Sequence, residues 1–204
     1  MVEVYYYVPQ DKFKNSVECG LKLSEWFEKE VNVESEQKKC FSALLNPKDD
    51  MVKYKSGNYK CLKLELYPRY CFAADKYLYD IGLNNTEVMK LYIDSIMPIE
   101  NYTFGMYRLP ECLVTSTVIP EQISVLDKRL DSPILFNSSE ELYINNVVED
   151  LKQEYDDLND RLLYCFLLGR VSKGELDMVE DGKDLVAFID KTSKRSFTIK
   201  KPCN

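Results

Sequence analysis

Leu62, Leu64 and Leu66 alternate with Lys63 and Glu65 in CLKLELY (61–67), and this two-residue period predicts a half-buried strand with the leucines facing inward. Pro68 interrupts it, and YCFAAD (70–75) predicts a second short strand ending at Asp75. Upstream, Val2 to Val8 is rich in tyrosine and valine and reads as a first strand closed by Pro9. Asp11 then caps a short helix carrying Phe13 and Val17, which Gly20 stops. From Ser24, SEWFEKEV reads as a second helical stretch in which Trp26 and Phe27 pack while the charged residues face water.

Downstream, Asn85 or Thr86 caps TEVMKLYIDSIM, where Val88, Leu91, Tyr92 and Ile96 recur at helical spacing until Pro98 ends the run. The Tyr, Gly and Pro content of 100–110 predicts a loop or short edge strand, and 113–126 supplies one or two further strands. Ser138 and Glu141 have capping-box spacing, and the segment they open carries apolar residues in helical rhythm to Arg170, as two helices or one bent at 156–160. After the polar stretch VSKGELDMVEDGKD, which reads as a linker, LVAFID and SFTIK flank DKTSK as a hairpin. The division expected is a core over 1–137 and a helical and hairpin appendage over 138–204 packed on it. With 204 residues, 45% of them apolar, the chain can bury one principal core but not two full domains.

Composition removes several chemistries. The chain has no histidine, which excludes the usual general base near neutral pH, the commonest nitrogen ligand for zinc and every Ser-His or Cys-His pair. Seven cysteines stand singly, with no C-x-x-C pair, and read as reduced thiols, several of them in apolar runs. Asp49 and Asp50 lack the glycine-containing spacing of a calcium loop, so no metal is expected. Glycine patterns of the dinucleotide or P-loop kind do not occur. The net charge of −7 disfavours a broad grip on nucleic acid. With no apolar run near the roughly 20 residues a membrane span needs, and neither a basic leader nor a cleavage site in MVEVYYYVPQ, a soluble, cytoplasmic protein is expected.

Four segments, taken in order, carry a resemblance. YYYVPQDKFKNSVECGL places Gly20 and Leu21 after a strand and short helix; ALLNPKDDMVKY spaces Pro47, Lys48 and Met51; RYCFAAD ends a strand in Asp75; and PECLVTSTVIPEQI leads a strand with Glu111. Together they resemble the ADP-ribosyltransferase-like family, most closely its branch of toxins that modify thymidine in DNA. The resemblance covers residues 2–126 and implies an α+β fold, a mixed split β-sheet with flanking helices and NAD bound across the split. It places Glu111 on the catalytic glutamate and Tyr6 where the family has a nucleotide-holding histidine. The family's arginine is replaced by Lys48, which keeps the charge but loses the planar fork that grips an anion.

On that resemblance, Glu111 would stabilise an oxocarbenium-like transition state as nicotinamide leaves. Lys48, with Lys53 or Lys55, would neutralise the pyrophosphate, and Tyr6, Met51 and Tyr54 would complete the nucleotide site. The acceptor would be a nucleic acid or a protein, with the acidic balance favouring protein, and 138–204 offers a surface for a protein partner. Plainer accounts stand beside each role: Glu111 as a solvated strand-end charge, Lys48 as part of an exposed charged turn, and Tyr6 as one tyrosine of a half-buried strand. The departures at Tyr6 and Lys48 leave two functions open, a divergent transferase or a catalytically inactive binding module on the same fold.

Overall fold

Tyr5 and Leu44 are the one residue pair through which the first strand joins the third in the sheet, and this single bridge decides where the molecule opens. The computed structural model describes residues 1–33, 36–126, 138–154, 158–180, 185–193 and 195–202. The chain divides into two units, Met1–Asn145 and Asn146–Asn204.

The first unit is built on eight strands: β1 (Val2–Pro9), β2 (Lys29–Val33), β3 (Glu36–Leu44), β4 (Tyr59–Leu66), β5 (Cys71–Asp75), β6 (Met97–Pro98), β7 (Pro110–Val114) and β8 (Ile123–Val125). Their order is β6-β5-β7-β3-β1-β4-β8, with β2 pairing β3 beside this path. The fold is α+β. Every strand pair among the described residues is antiparallel, so the sheet is not the mixed one expected.

β1 pairs β4 along its whole length, from Val2 opposite Leu66 to Pro9 opposite Tyr59. β3 pairs β7 from Phe41 opposite Val114 to Leu44 opposite Glu111, and its other edge is taken first by β2, up to Lys29 opposite Cys40, and then by β1 at Leu44 alone. Between Cys40 and Leu44 that edge carries no strand, and the sheet is split there.

Side-chain alternation sorts the interior into two clusters. Leu62, Leu64 and Leu66 lie with Val4, Val8, Phe41, Ala43 and Cys112 in the first, where burial of each leucine contributes about 1.5–3 kcal/mol. Val31, Val33, Cys40, Phe72 and Leu113 form the second with Tyr92. This second face is covered by α4 (Lys76–Gly82) and α5 (Thr86–Ser95). Asn85 caps α5 as expected, its side chain accepting from the N–H groups of Glu87 and Val88. Gly82 lets the two helices approach, because a Cβ there would meet the Cα of Met89 at 2.9 Å.

Several elements depart from the sequence pattern. The stretch from Ser24 is helical only within α2 (Leu23–Trp26), after which KEVNV turns to β2. α1 (Phe13–Cys19) begins without a side-chain cap, so Asp11 does not play that part. The short helix α3 (Met51–Lys55) is capped by Asp50, which accepts from the N–H of Lys53. α6 (Ser139–Glu154) starts as its capping signal predicts, with the Glu141 N–H donating to Ser138 Oγ.

The second unit pairs β10 (Leu185–Asp190) with β11 (Ser196–Lys200) as the predicted hairpin, and β9 (Leu176–Glu180) adds a third strand on the other side. β9 lies in the stretch read as a linker. α7 (Leu158–Ser172) contributes Leu167 to a core with Leu176, Val186, Phe188 and Ile199. The expected break at 156–160 falls partly on residues outside the described set. No helix among the described residues is long and apolar enough to cross a membrane.

Candidate functional site

Glu111 is the second residue of β7 and is fully buried, so the account of it as a solvated strand-end charge is overturned. Alternation points its side chain to the face under α5, and the helix supplies Tyr92, whose hydroxyl donates to Glu111 Oε1 at 2.9 Å. Lys29 Nζ donates to both carboxylate oxygens at 2.8 and 2.9 Å, and Ser42 Oγ makes a short hydrogen bond to Oε2. An ionised carboxylate offers about four acceptor sites, and these donors occupy all of them. Lys29 is itself enclosed: its side chain is 8% exposed, it reaches the Tyr92 hydroxyl at 3.4 Å and it lies 3.8 Å from the ring centroid of Tyr79. Burial first, and then the charge of Glu111, push the Tyr92 hydroxyl well above its ordinary range, which keeps it a donor. Cys40, beneath the same group, is pushed up to about 12, with burial as the main cause, partly offset by Lys29. It is an inert thiol.

The split in the sheet opens a cleft of about 90 Å³, lined in part by Tyr6, Glu28, Ser42, Asp50, Lys53 and Lys76. Glu28 is one of its two carboxylates. The Ser42 N–H, left without a strand partner where β1 departs, donates to Glu28 Oε2 at 3.2 Å, and the Tyr6 hydroxyl donates to Oε1 at 2.9 Å. Burial, followed by the adjacent Glu28 charge, raises Tyr6 far above the usual phenol value. Asp50 is held below the usual carboxylate range: its partial burial pushes upward, and the Lys53 backbone N–H and ammonium, the latter 3.1 Å away, outweigh it.

The residues singled out from sequence are therefore distributed. Tyr6 lines the cleft, while its ring packs edge-on against Trp26 and Phe41 in the first cluster. Glu111 does not line the cleft, but two of its neighbours on β3 do: Ser42, which donates to its carboxylate, and Leu44, its partner in the sheet. Lys48 sits half-buried in the turn Pro47–Asp49, its N–H bonded to Asn46 Oδ1 at 3.0 Å, and the cleft is lined by Lys53 and Lys76 rather than by Lys48. Met51 is 41% exposed on α3, Tyr54 is half-buried on the same helix, and neither lines the cleft. Among the described residues no three histidine, cysteine or carboxylate side chains gather as a metal site.

Asp49, beside Lys48, does a different job. It accepts from the Ser139 N–H at 2.9 Å and from Ser139 Oγ at 2.6 Å, tying the start of α6 to the turn. Burial raises its carboxyl above the ordinary value, and the two hydrogen bonds from Ser139 oppose that rise without cancelling it. Because the folded value lies above the unfolded one, the folded state holds this proton more tightly. The contribution to stability is largest below the ordinary carboxylate range and falls as pH rises through the folded value. Ser139→Ala removes the opposing hydroxyl, and we expect the Asp49 titration, followed by carbon-13 NMR of the carboxyl, to move further upward. Stability near neutral pH should fall by about 1–2 kcal/mol. A downward movement would contradict this account.

No family model matches the chain, and neither a curated protein nor a solved structure does.

Proposed function

We propose that the chain is a binding module without transferase chemistry, built on the split-sheet scaffold that its first 126 residues resemble, with its ligand entering the cleft where β1 leaves β3. The observation that carries this reading is the state of Glu111: enclosed by the scaffold, ion-paired to Lys29 and with its acceptor sites filled. A carboxylate so placed has no lone pair for a ribose hydroxyl, and its charge is already compensated. A site that stabilises developing positive charge needs an anion aimed at the reacting atom, and Glu111 is aimed at Lys29.

The cleft supports the same conclusion. Its volume of about 90 Å³ is small beside the roughly 300–1,000 Å³ of pockets that enclose drug-sized ligands, which argues against NAD and for a smaller polar molecule. On this reading the protein incubated with millimolar NAD releases no nicotinamide and shows no rise in melting temperature.

One observation favours the transferase alternative: Ser42 both lines the cleft and touches Glu111, so a single side chain stands between the carboxylate and solvent. If that barrier opened, NAD turnover would be slowed or abolished by the isosteric Glu111→Gln and the acceptor would be sought among proteins and nucleic acids. Nicotinamide release by the wild type that Glu111→Gln eliminates, while the variant stays folded, would reject the binding-module proposal.

A further inference from the structure

The charges of the cleft do not all cancel against one another. Lys53 is committed to Asp50, with its ammonium 3.1 Å from Oδ2. Lys76, at the start of α4, lines the cleft, and among the described residues its ammonium has neither a hydrogen bond nor an ion pair. Among the described residues Glu28 receives two neutral donors, the Tyr6 hydroxyl and the Ser42 N–H, but no cation. Tyr6 and Tyr7 stay protonated and add no charge, since burial raises both phenols. Lys76 acts on Asp50 only at a distance, where it helps to hold that carboxyl down, so what remains among the described residues is one ammonium without an ion pair and one carboxylate without a cation in a single polar cleft.

Both groups are reachable. Glu28 is exposed and Lys76 half-exposed. A carboxylate bonded only by neutral donors keeps its full charge and still has acceptor capacity for a further donor. The sheet geometry explains why Glu28 is in place: it stands just before β2, where its own N–H reaches Cys40 O at 2.9 Å, and its side chain covers the edge N–H that β1 abandons. The carboxylate available to a ligand is therefore Glu28, not Glu111.

Resting on the binding-module reading of the same cleft, we infer that its ligand is a small zwitterion, an amino acid or related compound with its cationic group on Glu28 and its anionic group on Lys76. Charge complementarity selects it. A zwitterion satisfies both ends, whereas a singly charged molecule leaves one end bare, and a phosphorylated sugar brings a dianion up to Glu28. The available volume suits a molecule of this size.

The test is a titration of the full chain, followed by proton–nitrogen NMR, with glycine, 4-aminobutanoate and 6-aminohexanoate, alongside butanoate, butylamine and ribose 5-phosphate. We expect one of the zwitterions to give saturable shifts at Ser42 and Lys76, with butanoate and butylamine each binding roughly tenfold more weakly. Glu28→Gln should weaken the zwitterion and butylamine while leaving butanoate unchanged, and Lys76→Met should weaken the zwitterion and butanoate while leaving butylamine unchanged, a crossed pattern that a merely structural defect would not produce. Absence of saturation by every zwitterion overturns the inference, as does tighter binding of ribose 5-phosphate that Glu28→Gln strengthens. Nicotinamide release from NAD in parallel samples bears on the catalytic question alone, so a silent titration without release rejects the zwitterion and leaves the binding-module reading standing.

Discussion

Lys29→Met destabilises the protein by about 3–5 kcal/mol, because it leaves the fully buried Glu111 without its cation. The attraction of the pair and the cost of desolvating it oppose one another in the native protein. Removing only the lysine abolishes the attraction and keeps the desolvation of the carboxylate. Ser42 and Tyr92 still donate to Glu111, but neutral hydroxyls compensate only part of a buried charge.

The double variant Lys29→Met/Glu111→Leu separates the pair from its surroundings. Replacing both charges with apolar groups is often neutral or better, so the double variant should recover most of what Lys29→Met loses. Urea denaturation of the wild type, both single variants and the double variant measures the coupling. A Lys29→Met loss below about 1 kcal/mol, the range of exposed ion pairs, would mean that the pair is not buried in solution.

The second large effect is expected at Gly20. Its φ of +78° and ψ of −176° lie where residues with a side chain are strained, and an added Cβ would sit 2.2 Å from the carbonyl oxygen of Val118. That oxygen accepts from the Leu21 N–H at 2.8 Å, and the Val118 N–H donates back to Leu21 O at 3.0 Å, so an alanine must either bend the backbone or break this bridge. Leu21 and Val118 are both fully buried, which leaves the break no water to satisfy it. Gly20→Ala is expected to lose on the order of 3 kcal/mol or more. Gly57→Ala is the control, since a Cβ there meets nothing within 4 Å, and it should change stability by less than about 0.5 kcal/mol. Equal losses for the two variants would show that the close approach at Val118 is not what fixes glycine at position 20.

Much of the scaffold was legible because the signals were local. Leu62, Leu64 and Leu66 alternate, and they are the buried face of β4. Gly20 ends α1, Asn85 caps α5, and β10 returns as β11 for reasons contained within a few residues of each. The central strand β3 went unread because EQKKCFSAL mixes an exposed polar half, paired only to β2, with an apolar half that is flanked by β7. β2 was lost to a helical reading, although KEVNV has its own two-residue period. In that pattern Lys29 falls on the same face as Val31 and Val33, all three buried. A lysine in phase with two buried valines was the one signal in the sequence that Glu111 had a buried partner.

For the candidate site, the sequence singled out a carboxylate at position 111, the tyrosine at 6 and the basic turn near 48, because residue type and order are local properties. Whether a carboxylate is available depends on what covers it, and Lys29, Ser42 and Tyr92 come from three elements 82, 69 and 19 residues away along the chain. The choice of Lys53 and Lys76 over Lys48 on the cleft is likewise set by α3 and α4, each of which brings one lysine to it. By itself the sequence determined the strands and helices whose periodicity is self-contained and the absence of histidine chemistry, and it singled out Glu111 as a carboxylate to examine. Only the tertiary structure decided that Glu111 is enclosed and Glu28 is open, since burial and charge compensation arise from groups distant in sequence that the sheet brings within hydrogen-bonding reach.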